Sequence, residues 1–232
     1  MSFFKCIHKG KGPTKLFIGG VHGNEGKTTN NIFKSLVAND FSNGKNIIYN
    51  FDLTPYISTL KEEYYYSKIG KEIIAIIKKY KPDFYTELHC YNIQNYRKLI
   101  SPKRREFQGV PPLIELKDYV LVSSVSPLIR KKLFKKEAIC KTLEMPCLKD
   151  TQYNSYKNLG MSNSNEDNHN SSVEHKYHKK SALETYLNIL KLITKSKNRK
   201  EFEYIMTAIY PKQVETARKY AKEIFGEDYP PF

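Results

Sequence analysis

Between residues 14 and 88 the chain alternates short apolar runs with amphipathic segments, at a spacing that few folds accommodate. Residues 14–19 (TKLFIG) read as a buried strand ending at Gly19-Gly20. Residues 27–38 (KTTNNIFKSLVA) read as a helix with an apolar face of Ile32, Phe33, Leu36 and Val37, and residues 46–51 (NIIYNF) as a second strand. An amphipathic helix over 67–80 must stop before Lys81-Pro82, and a third strand follows at 83–88 (DFYTEL). Strands that alternate with helices in this way need crossover connections, so the expected architecture is α/β with parallel strand pairs.

Downstream the pattern is less regular. Residues 90–118 hold Pro102, Pro111, Pro112 and the basic run Lys103-Arg104-Arg105, and read as a loop-rich excursion. A strand is expected at 119–123, a helix at 125–136 with Pro127 in its first turn, and a strand at 138–144. Helical patterns return at 182–196 and 211–225. Between them, residues 149–180 read as a low-complexity, flexible insertion: eight of the twelve residues 161–172 are Asn or Ser, with His169, His175 and His178 in or just after them. The whole chain, 232 residues, is the length of one domain carrying such an insertion.

The segment that carries chemistry is Phe17-Ile-Gly-Gly-Val-His-Gly-Asn-Glu-Gly26. Three residues apart at the start of a helix, His22 and Glu25 share a face, so an imidazole and a carboxylate can meet one cation. The flanking glycines let the backbone turn tightly beside it. A catalytic zinc site takes three protein ligands and leaves one position open. His89, in Tyr85-Thr-Glu-Leu-His-Cys90, supplies the third ligand from the C-terminal end of its strand, the edge where open α/β sheets bind ligands. The expected cofactor is one Zn²⁺ on His22, Glu25 and His89, with Co²⁺, Mn²⁺ or Fe²⁺ able to use similar ligands. Glu144 ends the strand at 138–144 and is the expected general base, taking a proton from a metal-activated water and returning it to a leaving amine.

These residues resemble the zinc carboxypeptidase superfamily, closest to its aspartoacylase and succinylglutamate desuccinylase branch, over residues 14–147. Gly-Gly-Val-His22-Gly-Asn24-Glu25 resembles the G-x-H-G-N-E metal motif, Glu87-Leu-His89 the Asp-Leu-His motif, and Leu143-Glu144-Met-Pro the strand-borne catalytic glutamate. The resemblance implies a three-layer α/β/α fold with a mixed, mostly parallel sheet. It also implies metal-dependent cleavage of an amide in a carboxylate-bearing small molecule or peptide. The chain departs from the branch where an Asp-Leu-Asn-Arg motif is expected, reading Asp52-Leu53-Thr54-Pro55, and no all-β domain follows residue 150. Arg97, Arg104, Arg105 and Lys61 are the alternatives for the missing cation. Glu87, two residues before His89 on the same strand face, is expected to orient an imidazole. Asn24, Asp52 and Arg97 complete the expected surroundings. The divergence and composition suggest an archaeal member.

Two rival functions share this segment. Gly26-Lys27-Thr28 matches the end of a phosphate-binding loop, but the opening glycine of G-x-x-x-x-G-K-[ST] is replaced by Val21. A relative that keeps the metal without catalysis is the other. The net charge of +15 raises a nucleic-acid surface, yet it comes from 33 lysines spread along the chain and only six arginines. That distribution argues against nucleic acid as the primary partner. No run of 18 apolar residues is present, so no membrane span is expected, and the N-terminus lacks a secretory signal pattern. The four cysteines, Cys6, Cys90, Cys140 and Cys147, form no CxxC pair and read as free thiols of a cytoplasmic protein, with Cys90 and Cys140 in the core.

Overall fold

The computed structural model describes residues 3–148 and 172–231, with the backbone alone for 172–180. Its centre is a seven-stranded sheet in the order β1-β3-β2-β4-β7-β6-β5. The four inner strands, β3 (Lys45–Asn50), β2 (Thr14–Gly19), β4 (Phe84–Tyr91) and β7 (Ile139–Pro146), run parallel. β1 (Phe3–His8) closes one edge antiparallel to β3, and β6 (Val120–Ser124) and β5 (Ile114–Lys117) extend the other, also antiparallel.

Helices cover both faces, because the parallel core must bury side chains on each side. α1 (Glu25–Ser35) lies on one face with α7 (Ser172–Lys195), α8 (Arg199–Ile209) and α9 (Pro211–Phe225), where Phe17, Ile32, Phe33, Phe84, Leu143, Leu190 and Phe202 form a core. On the other face α2 (Glu62–Tyr66), α3 (Lys68–Tyr80) and α6 (Pro127–Leu133) enclose Leu16, Ile18, Ile47, Ile73, Ile77, Tyr85 and Ile129. The fold is the expected three-layer α/β/α arrangement with a mixed sheet, parallel at its centre and antiparallel at its edges.

Several expectations need correction. The strands β1 and β5 were not anticipated, nor was α8. β1 alternates half-buried and exposed residues as an edge strand does, so it lacks the apolar run that marks β2. The excursion at 90–118 is more ordered than a loop. β4 continues through it to Tyr91, and α4 (Tyr96–Leu99), α5 (Arg104–Gln108) and β5 follow. The backbone of 172–180 is the start of α7 rather than part of an insertion, while residues 149–171 and the side chains of His169, His175 and His178 lie outside the described residues. Cys90 and Cys147 are joined by a disulfide instead of being free; Cys140 is buried and free, and Cys6 is free and exposed. The Cys147 N–H donates to the Tyr91 carbonyl, extending the β4–β7 ladder past its last paired residue and bringing the two cysteine Cα atoms within 4.7 Å. This pairing removes the free-thiol argument for a reducing compartment. No helix among the described residues is long and apolar enough to cross a membrane.

Candidate metal centre

Because β2 is followed by β3 on one side and, through α3, by β4 on the other, the chain reverses its direction across the sheet at β2. A crevice opens outside the strand C-termini at such a point. The loop from Gly20 to Asn24 lines it. Gly20 has φ +68, and a Cβ there would lie 2.0 Å from the Phe51 carbonyl oxygen, so the turn toward His22 needs glycine. The Tyr64 hydroxyl donates to the Val21 carbonyl at 3.1 Å and pins the loop from below.

β4 delivers the other half. It is buried along its whole length, yet its Tyr85, Glu87 and His89 face the same side. Ionisable groups in a central strand persist only when paired. Here they form a chain of contacts. Tyr85 O–H donates to Glu87 Oε1 at 2.8 Å, and Glu87 Oε2 lies 3.4 Å from His89 Nε2. On the other side of the ring, His89 Nδ1 lies 3.1 Å from Glu25 Oε2, and Glu25 Oε1 lies 3.5 Å from His22 Nδ1. His22 Nε2 accepts from the Thr59 N–H at 3.3 Å in the metal-free ring, so Nδ1 faces Glu25 with the ring proton; ligation through Nδ1 moves that proton to Nε2 and breaks the Thr59 bond.

The three ligand atoms of His22, Glu25 and His89 all lie within 4.8 Å of one another. Two donors bound about 2 Å from one tetrahedral cation sit roughly 3.3 Å apart. His89 Nδ1 is 3.1 Å from Glu25 Oε2 and His22 Nδ1 is 3.5 Å from Glu25 Oε1, so each imidazole meets its own carboxylate oxygen, and two imidazoles with one carboxylate are a borderline-metal donor set. The residues are a group that could hold a metal ion.

Without a cation the same groups pair with one another. Burial opposes charge on Glu25, but the neighbouring His89, with His22, outweighs it and holds the carboxyl down to about 2. Burial likewise opposes a charge on His89, and Glu25 and Glu87 overcome it, leaving the imidazole well above its usual value. Glu144 pairs with His89 in the β4–β7 register and lines the same cavity, of about 800 Å³. Loss of water raises its carboxyl above the usual range, and Glu25 adds to this against the pull of His89 and Arg104.

The other expected residues separate. Asn24 lines the cavity, exposed, as does Lys27. Glu87 sits behind His89. Asp52 and Arg97 are exposed and line no part of the cavity, and Lys61 is likewise outside it. Arg105 pairs with Glu223 on α9. Among the four alternative cations only Arg104 lines the cavity, with Nε donating to Gln108 Oε1 at 2.8 Å and Nη1 to the Pro111 carbonyl at 2.6 Å. Tyr85 and the Thr59 amide went unnoticed in the sequence. The alternation Tyr85-Glu87-His89 signals the first, but nothing local signals the second. A phosphate cradle is not formed, because the His22 N–H donates to Glu25 Oε2 at 3.1 Å rather than pointing at an anion site.

The protein called "Uncharacterized protein MJ0501", from Methanocaldococcus jannaschii, is 40% identical over 225 residues, covering 93% of each chain. A solved structure titled "Structure of Bacteriophage poly-gamma-glutamate hydrolase" covers 80% of this chain and 90% of its own at 12% identity, with a TM-score of 0.26, too low to carry an argument. A family match spans residues 10–226, which takes in every strand from β2 to β7 and all four residues of the proposed centre. On that match the chain belongs to the family described as "Uncharacterized protein conserved in archaea (DUF2119)".

Proposed function

We propose that this chain is a zinc-dependent hydrolase that cleaves an amide bond in a carboxylate-bearing small molecule or peptide. The observation that carries the reading is the convergence of His22, Glu25 and His89 within 4.8 Å, with Glu144 facing the same cavity from the adjoining strand. A divalent cation held by these three side chains supplies Lewis acidity, polarising a substrate carbonyl and making water a stronger acid, down to a pKa of roughly 7. The chain does the rest. Glu144 takes the proton of the attacking water on a carboxylate oxygen and passes it to the amide nitrogen, so that C–N cleavage releases a carboxylic acid and an amine. Loss of water raises its carboxyl above the usual range, which makes it a better proton acceptor than an exposed glutamate. Glu87 fixes the His89 ring from behind, itself held by the Tyr85 hydroxyl. Arg104 offers a cation at the cavity wall for the substrate carboxylate.

The test is metal content by mass spectrometry on untagged protein beside a His22→Ala, His89→Ala double variant, followed by a screen of N-acyl amino acids and peptides. About one zinc per chain in the parent and none in the variant is expected. No metal in the parent after zinc is offered removes the reading. One metal per chain with no hydrolysis of any amide leaves a metal-binding relative without catalysis.

A further inference from the structure

A second, smaller cavity of about 70 Å³ lies between the end of β6, α6 and α9. Its walls are apolar and come from separate parts of the chain: Val110 and Pro112 from the stretch before β5, Val125 from the end of β6, and Ala217, Ala221 and Ile224 from α9. It shares Leu60, Arg104, Ser123 and Ser124 with the cavity of the metal centre, so the two spaces meet at one rim.

The polar groups around this pocket are committed elsewhere. Arg130 donates to the carbonyls of Lys135, Lys136 and Ala138. Ser123 Oγ bonds Thr142 Oγ1 at 2.8 Å, and Ser124 Oγ donates to the Cys140 carbonyl. Arg104 gives two of its five N–H groups to Gln108 and Pro111 and stands at the rim, where its charge serves the metal side of the site rather than the apolar pocket. A pocket whose polar edges are already satisfied gives water or a charged group few partners, whereas an apolar chain loses nothing by entering.

We infer that the small cavity is a specificity pocket of the metal centre, and that it takes an unbranched apolar arm of the amide substrate. This rests on the hydrolase reading for the word substrate, but the pocket itself is tested by binding. A cavity of 70 Å³ is about half of the roughly 150 Å³ that holds benzene, so the part of the arm it buries is roughly two to three carbons long. The reacting amide then lies on the metal side of the shared rim and the arm on the side of α9. Arg104, at that rim, marks the boundary between the charged and the apolar halves of the site.

The experiment is calorimetric binding of straight-chain carboxylates, acetate to octanoate, to the full chain. Each buried methylene tightens binding by up to about fourfold, so hexanoate is expected to bind at least about tenfold tighter than acetate. Ala221→Leu fills the pocket and returns hexanoate to the acetate value with metal content unchanged. Ile224→Ala, at a half-buried position that tolerates truncation, moves the tightest-binding chain longer by about one or two carbons. Equal binding of acetate and hexanoate, or a hexanoate preference that survives in folded Ala221→Leu, overturns the pocket. Two hydrolysis series then locate the arm: N-acyl glycines of growing acyl length, and N-acetyl amino acids with side chains from alanine to norleucine. Length preference in one series supports the pocket and assigns the arm to that side of the amide. Hydrolysis with no length preference in either series removes the pocket and leaves the hydrolase. Hexanoate preference with no hydrolysis at all keeps the pocket and removes the hydrolase.

Discussion

Replacing Glu25 by glutamine separates the electrostatic argument for the centre from its shape. The amide keeps the size of the carboxyl and can still accept from the His22 N–H, but it loses the charge that faces His89 and His22. A carboxyl displaced from 4.5 to about 2 contributes at most about 3 kcal/mol to the metal-free fold at pH 7. The figure is an upper limit, because in the variant His89 can shed its own proton and relieve part of the cost. Since the folded value lies below the unfolded one, this stability is fully present above about pH 4.5 and is lost as pH falls through 2. Urea unfolding of parent and variant in the presence of a chelator reads the difference directly. A gap of about 2–3 kcal/mol at pH 7 is expected to close as pH approaches 2, where a protonated glutamic acid and a glutamine are nearly isosteric. A gap that stays constant across that range would refute the charge argument, and no gap at pH 7 would show that Glu25 and His89 do not pair.

Three further outcomes follow from the same geometry. Glu144→Gln is expected to retain its metal while hydrolysis falls by about 100-fold or more, measured by metal content and turnover on one preparation; an unchanged rate removes Glu144 from the reaction. Because His89 is held protonated in the metal-free protein and must be neutral to act as a ligand, zinc uptake is expected to release about one proton from it. Apparent affinity then rises with pH, by up to about tenfold per unit while metal-free His89 stays protonated, which titration in two buffers of different protonation enthalpy checks. Reducing the Cys90–Cys147 bond, which closes a loop of 57 residues, is expected to cost about 4 kcal/mol of stability by chain entropy, with metal content retained. An unfolding midpoint that does not move with reductant would show that the bond is not formed.

Much of the fold was legible because local patterns and global packing agreed. The apolar run of β2, the amphipathic α3 ending at Tyr80 before Pro82, and the burial of all of β4 and of all of β7 but Glu144 are each written in a few neighbouring residues. The edge strands were harder. β1 has the alternating burial of a ribbon paired on one side only, and β5 is a four-residue strand directly after Pro111, Pro112 and Leu113, so neither carries a long apolar run. The centre was legible for a related reason. His22, in the loop before α1, and Glu25, its first residue, are three residues apart, and His89 and Glu144 each stand toward the C-terminal end of a strand that a parallel sheet aligns.

By itself, then, the sequence determined that this chain builds a parallel-cored α/β sheet, and that two imidazoles and two carboxylates collect at one edge of it. Strand period and helix period carry that information over short distances. Tertiary structure alone decided which distant groups meet there. It chose Arg104 over Arg97, Arg105 and Lys61, turned Asp52 outward, set the Thr59 amide against His22, and joined Cys90 to Cys147. Those outcomes depend on where the 51–61 and 92–113 segments place their residues beside the sheet and on how far the β4–β7 ladder runs. Both are set by contacts between residues far apart in the chain, which no local pattern records.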